Sequence, residues 1–349
     1  MTRTATAWVD LVSPSHPFLF EGLLSSFPDL DLKTTVREKT ETVELAAEAG
    51  FDFEVRGRDF DNPQLRKVGI PLRTAQLAAD PPAADVSLSS RNAMCVLASK
   101  ARGMPSVHFT DNDITAYVDG LWAEELYNFL EARATYTVVP EAFDTAELEK
   151  HGADATSIYT YAGYKEDIYV ADFEPDESFT DRLPFEEYVV VRPEALGAAY
   201  VDAAESLVPA ILEGVTDTGY SVVYLPRGRG DREYAAGYDD EEVHVPRQAY
   251  DGLQLAAHAD CVLTGSGTMA REAACMGKPA VSFFPSELLS VDRELVADGR
   301  IVHSRDAETI ADYVAGLDAE ETRLDRSRSR RVRDEVVSLT DRLVERAAR

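Results

Sequence analysis

The sequence predicts an α/β protein built as two doubly wound, parallel-sheet domains. Three observations carry this. Short apolar runs of strand length alternate with stretches of helix length along most of the chain. The alternation lapses over residues 151–181, which are rich in Tyr, Asp, Glu and Gly. Residues 260–284, DCVLTGSGTMAREAACMGKPAVSFF, spell strand, glycine turn, helix and strand. At 349 residues the chain exceeds one comfortable core and suits two domains.

Taken in order, residues 5–12 read as a strand, followed by the turn Ser13-Pro14-Ser15-His16-Pro17 and a helix over 18–27 whose face is Leu19, Leu23 and Leu24. Strand 32–37, helix 41–49 ended by Gly50, and strand 51–55 follow. A helical stretch over 65–79 is broken by Pro81-Pro82. Strands at 86–88, 107–110 and 136–139 alternate with helices at 93–102 and 121–132. Residues 151–181 have weak periodicity and read as the region between domains. Strand 188–191 restarts the pattern, and a helix over 198–212 carries Val201, Ala204, Val208 and Ile211 as an amphipathic stripe. Strand 221–225, a polar loop with a short helix over 227–240, a short strand at 243–245 and a small helix ending at His258 come next.

Cys261-Val262-Leu263 reads as a buried parallel strand and Thr264-Gly265-Ser266-Gly267 as a turn where backbone bends sharply or approaches something closely. Thr268 to Met276 reads as a helix with Thr268 or Ser266 as N-cap, stopped by Gly277 and Pro279. Strand 280–284, a helix near Leu295, strand 301–303, helix 307–317 and a long helix from about 331 complete the chain; Val332, Val336, Leu339 and Leu343 form the stripe of the last. The expected domains are therefore 1–170 and 186–330, with a linker at 171–185 and a final helix at 331–349.

The composition excludes several classes. Asp and Glu number 63 against 35 Lys and Arg, only seven of them Lys, for a net charge of −28. The acids are spread along a chain whose apolar periodicity survives, which fits a folded protein adapted to high salt and repels nucleic acid. No apolar run is long enough to span a membrane, and the N-terminal stretch lacks the h-region of a signal peptide, so the expected location is the cytoplasm. Cys95, Cys261 and Cys275 lie in apolar segments without a CxxC pair, and the six His are scattered; buried thiols and no metal site are expected. There is no P-loop, GxGxxG, GxSxG or HExxH pattern.

Ligands of open α/β sheets bind at the carboxyl ends of strands, so the polar loops that follow strands are the candidates. In the first half these are Ser13 to His16, Ser89-Ser90-Arg91 and Thr110 to Asp113. In the second they are Arg192-Pro193-Glu194, Pro226-Arg227 and Gly265 to Thr268. Two such sets would face each other across a cleft. The Gly265–Thr268 turn opens a helix, whose free N–H groups suit a phosphate, and Glu272 lies one turn in, where a carboxylate suits a sugar diol; an ordinary βα turn is the alternative. His16, placed in a loop, is the general-base candidate, or a hydrogen-bonded turn residue. Asp111 and Asp113 are candidates for base or hydroxyl binder, or for helix caps. Arg192 and Arg227 end strands and are candidate partners of a diphosphate, or ion-pair partners of nearby acids. Asp292-Arg293 reads as a structural pair at the cleft edge. The cluster Arg323, Arg326, Arg328, Arg330, Arg331 and Arg333 either pairs with the acidic body or meets anionic lipid headgroups at the inner membrane face.

SGTMAREAACMGKP (Ser266 to Pro279) resembles the nucleotide-diphosphate loop and helix of GT-B-fold enzymes that use UDP-sugars. The non-hydrolysing UDP-N-acetylglucosamine 2-epimerases have a similar SGG…EA…GKP arrangement, and MurG-like glycosyltransferases a looser one. Together with VDLVSPSHPF (Val9 to Phe18), FTDND (Phe109 to Asp113), VVRPEALGAAY (Val190 to Tyr200) and VDREL (Val291 to Leu295), the sequence is most similar to an archaeal and bacterial family of predicted glycosyltransferases, over nearly its whole length. The resemblance implies two Rossmann-like domains of GT-B type, with the final helix crossing back onto the first. It implies that Ser266, Gly267 and Thr268 hold the diphosphate of an NDP-sugar substrate, and Glu272 its ribose hydroxyls, with no further cofactor. Thr268 stands where the epimerases have the second glycine of SGG, and no HRREN-like segment with its His lies near Arg192. Transfer of a sugar to a glycan or lipid-linked acceptor is thus expected ahead of epimerisation or hydrolysis, with a non-catalytic nucleotide-sugar-binding protein as a third reading.

Overall fold

The computed structural model describes residues 5–348 apart from 28, 39, 59–62, 197–204, 229, 249 and 319–322. The chain divides into two compact units, Met1–Tyr169 with Arg331–Arg349, and Val170–Arg330.

The first unit contains β1 (Thr6–Leu11), α1 (His16–Leu24), β2 (Asp31–Glu38), α2 (Thr40–Glu48), β3 (Phe53–Arg58), α3 (Pro63–Ala79), β4 (Val86–Ser90), α4 (Ala93–Ala101), β5 (Ser106–Phe109), α5 (Trp122–Glu131), β6 (Tyr136–Pro140), α6 (Ala146–Glu149), β7 (Ile158–Tyr161) and the start of α7 (Lys165–Val170). Its strands lie in the order β3-β2-β1-β4-β5-β6-β7, every pair parallel. Helices cover both faces of such a sheet, so its central strands are buried on both sides; β4 and β5 are buried at every position, their serines and His108 included. Trp8 of β1 packs with Leu77 of α3 and with Met94, Cys95 and Ala98 of α4.

The second unit contains β8 (Tyr188–Arg192), α8 (Val208–Asp217), β9 (Ser221–Tyr224), β10 (Val243–His244), α9 (Gly252–His258), β11 (Cys261–Thr264), α10 (Gly267–Cys275), β12 (Ala280–Ser282), α11 (Ser290–Ala297), β13 (Val302–His303) and α12 (Ala307–Ala315). The order β10-β9-β8-β11-β12-β13 repeats the winding of the first sheet, again all parallel. Valines of β8 and β9 pack with Val208, Ile211, Leu212 and Val215 of α8 and with Ile310 and Val314 of α12. The long α13 (Ser327–Ala347) ends the chain. In the first unit, Val332 of α13 fills the space over Gly163, where a Cβ would lie 2.5 Å from its methyls, and Arg346 donates to the Tyr159 hydroxyl at 3.0 Å.

Three expectations are corrected. The stretch 151–181 is not featureless: it holds β7 and α7. β7 is an edge strand whose first three residues are only partly buried or exposed, so it lacks an apolar run, and α7 is too short to show a helical period. The first helix begins at His16 rather than at 18, because Pro17 sits inside its first turn. A proline is tolerated there since that N–H has no intrahelical acceptor to lose. The same reason applies to α8, which starts at Val208 with Pro209 in its first turn and runs past Leu212 to Asp217; Val201 and Ala204 of the expected stripe lie outside the described residues. The three cysteines are buried free thiols. No helix among the described residues is long and apolar enough to cross a membrane.

Candidate functional site

Where the strand order of a doubly wound sheet reverses, the two connections leave to opposite faces and open a crevice at the carboxyl ends. In the second unit this reversal lies between β8 and β11. β8 runs into Pro193-Glu194 and β11 into Gly265-Ser266, and the Gly265 N–H donates to the Arg192 carbonyl (2.9 Å). A Cβ on Gly265 would lie 2.6 Å from Glu194 Cγ and 2.7 Å from its Cα and backbone N. Backbone atoms cannot retreat as a side chain can, so only glycine lets these loops meet. Ser266 is the N-cap of α10, in extended conformation, and its hydroxyl makes no capping hydrogen bond. The first-turn N–H groups of α10 have no intrahelical acceptors, and the helix dipole places partial positive charge there. The Arg271 guanidinium lies against the same turn: its Nη1 would be 3.1 Å from a Cβ on Gly267, and it donates to both carboxylate oxygens of Asp292 (3.0 and 3.2 Å). Glu272 follows, partly buried.

Glu194 is buried, and its carboxylate accepts from Ser206 Oγ (2.7 Å), the Leu207 N–H (3.1 Å) and Arg305 Nη1 (2.9 Å). Arg227 Nε donates to the Pro193 carbonyl (2.8 Å). The loops after β8, β9, β11 and β13 are thus joined around Gly265.

In the first unit the reversal lies between β1 and β4. Asp10, near the end of β1 and fully buried, accepts from Arg73 Nη1 (2.8 Å) and Nη2 (2.7 Å), Asn92 Nδ2 (2.7 Å) and Thr35 Oγ1 (2.5 Å). Arg73 also donates from Nε to the Arg56 carbonyl (2.8 Å). Arg91, directly after β4, has φ +39°, a left-handed conformation that non-glycine residues rarely hold. Its guanidinium pairs with Glu131 (2.6 Å) and Glu124 (2.5 Å). Burial would push the Glu131 carboxyl up; the Arg91 guanidinium and His108 together outweigh it, and the net shift is down.

His16 opens α1 and is 3% exposed. The Val12 N–H donates to its Nδ1 (3.3 Å). Burial first, and then the Lys165 ammonium, pull the imidazole from its ordinary value to about 3, against the opposing pull of Asp10 and Asp111. The ring is neutral near pH 7, its Nδ1 lone pair is engaged, and its proton sits on Nε2. Lys165, at the start of α7, donates to Asp111 Oδ2 (2.8 Å). Asp113 is fully buried and accepts the Asp144 N–H (3.0 Å).

The residues singled out in the sequence fall into two groups. Arg192, Gly265, Ser266, Gly267, Thr268 and Glu272 sit at the reversal of the second sheet, with Arg227 bonded to the loop beside it. His16 and Asp111 share the field of Lys165 in the first unit, while Asp113 holds the backbone at Asp144. Two details are corrected. His16 is a buried helix-start residue rather than a loop residue, because Pro17 extends the helix back to it. Asp292 pairs with Arg271 and not with its neighbour Arg293, whose guanidinium reaches Glu287 (2.5 Å); adjacent helical residues do not face each other. Sequence reasoning missed Asp10–Arg73, Lys165 and Glu194–Arg305. A charged residue inside the apolar run WVDLV was a usable signal for Asp10. Lys165 lay in the stretch read as linker and carried none.

Comparison with known proteins agrees with this architecture. The uncharacterized protein MJ0665 of Methanocaldococcus jannaschii is 32% identical over 319 residues, 88% of this chain and 90% of that protein. The crystal structure of the Methanocaldococcus jannaschii UDP-GlcNAc 2-epimerase in complex with UDP-GlcNAc and UDP is similar with a TM-score of 0.70 at 12% identity, covering 96% of this chain and 99% of that one. The glycotransferase of kitacinnamycin is similar with a TM-score of 0.60 at 15% identity, covering 98% and 100%. Identities this low speak to fold, and the fold is the GT-B type with two Rossmann-like units, as the sequence predicts. A family model matches residues 6–348, and the chain belongs to that family, described as "Protein of unknown function (DUF354)".

Proposed function

We propose that this protein is a nucleotide-sugar-dependent glycosyltransferase that moves a sugar from an NDP-sugar, UDP-linked foremost, to an acceptor hydroxyl in glycan assembly. The observation that carries the reading is the start of α10: a glycine turn at the sheet reversal, with a Ser266 hydroxyl outside the cap and a guanidinium against the first turn. It has the donors and the charge to hold a diphosphate. The fold is shared with an epimerase whose crystal structure holds UDP-GlcNAc and UDP, and with a protein described as a glycotransferase, which supports an enzyme of nucleotide-sugar chemistry.

In this reading Gly265, Ser266, Gly267 and Thr268 hold the diphosphate and Glu272 accepts from the ribose hydroxyls. Arg192 and Arg227 offset the charge that develops on the departing diphosphate, so the step needs no metal ion. Asp111 takes the acceptor proton. His16 is neutral with Nδ1 engaged, so it serves as an Nε2–H donor to the acceptor rather than as the base. The acceptor is a glycan or a lipid-linked sugar, and the reaction is placed in the cytoplasm, where nucleotide sugars are made. The likeness to an epimerase favours epimerisation or hydrolysis at the same site as the second reading.

Product analysis with UDP-, GDP- and dTDP-sugars in molar KCl separates these. NDP release that requires an acceptor supports transfer; a changed or freed sugar without acceptor supports the second reading; binding without turnover leaves a binding protein. Hydrogen bonds to a charged group contribute about 1.5–3 kcal/mol, so Glu272→Ala should weaken UDP binding roughly 10–150-fold. Unchanged UDP affinity in a folded variant sinks the site assignment.

A further inference from the structure

We propose that Arg305 is a diphosphate-contacting residue of the second unit and that Glu194 positions it. The proposal rests on the nucleotide-sugar reading and adds to it a cation from the end of β13 that was not among the sequence-based candidates.

Arg305 lies just after β13, at the carboxyl edge of the sheet. Its guanidinium is held twice, by Glu194 Oε1 (2.9 Å) and by the Phe283 carbonyl (2.7 Å), and both bonds use Nη1. Nε and Nη2 have no acceptor among the described residues, and 34% of the side chain is exposed. Arginine–carboxylate pairs are frequently bidentate, with the fork turned to the carboxylate. Arg73 does so, with both Nη on Asp10 and Nε on a carbonyl. Arg305 does not, and Glu194 does not need it to: Glu194 is already supplied by Ser206 and Leu207. The anchor is rigid as well. The Glu194 side chain is fully buried, and its Cα would lie 2.7 Å from a Cβ on Gly265. One residue therefore touches the diphosphate turn with its backbone and holds Arg305 with its carboxylate. A guanidinium fixed by one nitrogen, with further N–H donors open to solvent, is suited to two oxygens of a phosphate, a geometry that lysine cannot reproduce.

The test is calorimetric titration of the full chain with UDP and, by competition, with inorganic pyrophosphate, alongside urea unfolding. Arg305→Gln should weaken UDP and pyrophosphate by the same factor, roughly 10–100-fold, as for charged hydrogen bonds, in a chain that the urea curve shows to be folded though less stable, because buried Glu194 loses this cation. Glu272→Ala should weaken UDP and leave pyrophosphate unaltered, since pyrophosphate has no ribose. Glu194→Gln keeps one acceptor oxygen for the Leu207 N–H, turns an NH2 toward the Ser206 hydroxyl, and loses the charge that holds Arg305. It should weaken pyrophosphate in the presence of Arg305 and add nothing in the Arg305→Gln background, the coupling expected of a residue that acts through another. Wild-type affinities in Arg305→Gln overturn the proposal, as does additive loss in the double variant. Should Arg305→Gln fail to fold, Arg305→Lys carries the test: it retains the charge without the fork, and wild-type pyrophosphate affinity there overturns a forked contact. If the wild-type chain binds neither UDP, GDP, dTDP nor pyrophosphate, the nucleotide-sugar reading falls, and this proposal with it; binding by wild type with no effect of Arg305→Gln removes this proposal alone.

Discussion

At the carboxyl edge of the first sheet, Arg73 is 2% exposed and gives all its donor nitrogens to protein acceptors. At the corresponding edge of the second, Arg305 is 34% exposed and is held through one nitrogen. The two sheets share a winding order and reverse at the same place in it. What differs is how far the polar groups there satisfy one another. Around Asp10 the first unit has closed its reversal with a buried pair, bracketed by Asn92 and Thr35. The second packs buried Glu194 against the bare backbone of Gly265 and leaves a helix start whose N-cap hydroxyl makes no capping hydrogen bond. Topology sets the two reversals alike; under the proposed reading, the degree of internal saturation decides which of them an anion can use.

Asp10→Ala is the strongest way to break this comparison. It leaves Arg73 buried without its carboxylate and should destabilise the first unit by about 3–5 kcal/mol, read as a shift in urea unfolding. A loss below about 1 kcal/mol, the size of an exposed pair, would mean that the reversal is not closed by this pair. Gly265→Ala should cost about 1–3 kcal/mol, because its Cβ would meet Glu194 backbone, and should abolish UDP binding. Gly267→Ala, whose Cβ would meet the tip of the Arg271 side chain at 3.1 Å, should cost less; equal losses would remove the distinction between the two glycines.

The last test reads a slope with pH. His16 binds its proton at about pH 3 in the folded chain, against 6.5 in its absence. The unfolded chain therefore takes up a proton that the native one refuses. The contribution is fully present above pH 6.5 and is lost as pH falls toward 3, at up to about 1.4 kcal/mol per pH unit. His16→Asn should flatten that part of the stability profile relative to wild type. Lys165→Met should shorten that limb from its acid end, since the ammonium is one of the charges that hold the folded-state value down, while the upper end is set by the unfolded chain. An unchanged acid limb in His16→Asn would show that the imidazole is not held neutral in the folded state.

The legible part of this protein is the part written in neighbouring residues. Alternating apolar runs give parallel strands, because a sheet covered on both faces buries every position of a strand. The TGSG turn followed by a helix and GKP is legible because turn, cap and stop chemistry acts over a few residues. Even the misplaced helix starts at Pro17 and Pro209 have a local cause, a proline inside rather than before the first turn. β7 escaped because an edge strand is packed on one side and its residues IYTY show no burial pattern of their own.

The sequence by itself therefore determined the class of fold, the division into two similar halves and the location of the glycine turn, all consequences of hydrophobic period and backbone freedom. Only the tertiary structure decided which charged groups neutralise each other. Asp10 meets Arg73 across 63 residues and Glu194 meets Arg305 across 111. Such pairs exist because strand order brings distant loops to one edge of a sheet, and no local pattern encodes that order. It was also burial, a property of the packed chain, that leaves the His16 imidazole neutral near pH 7.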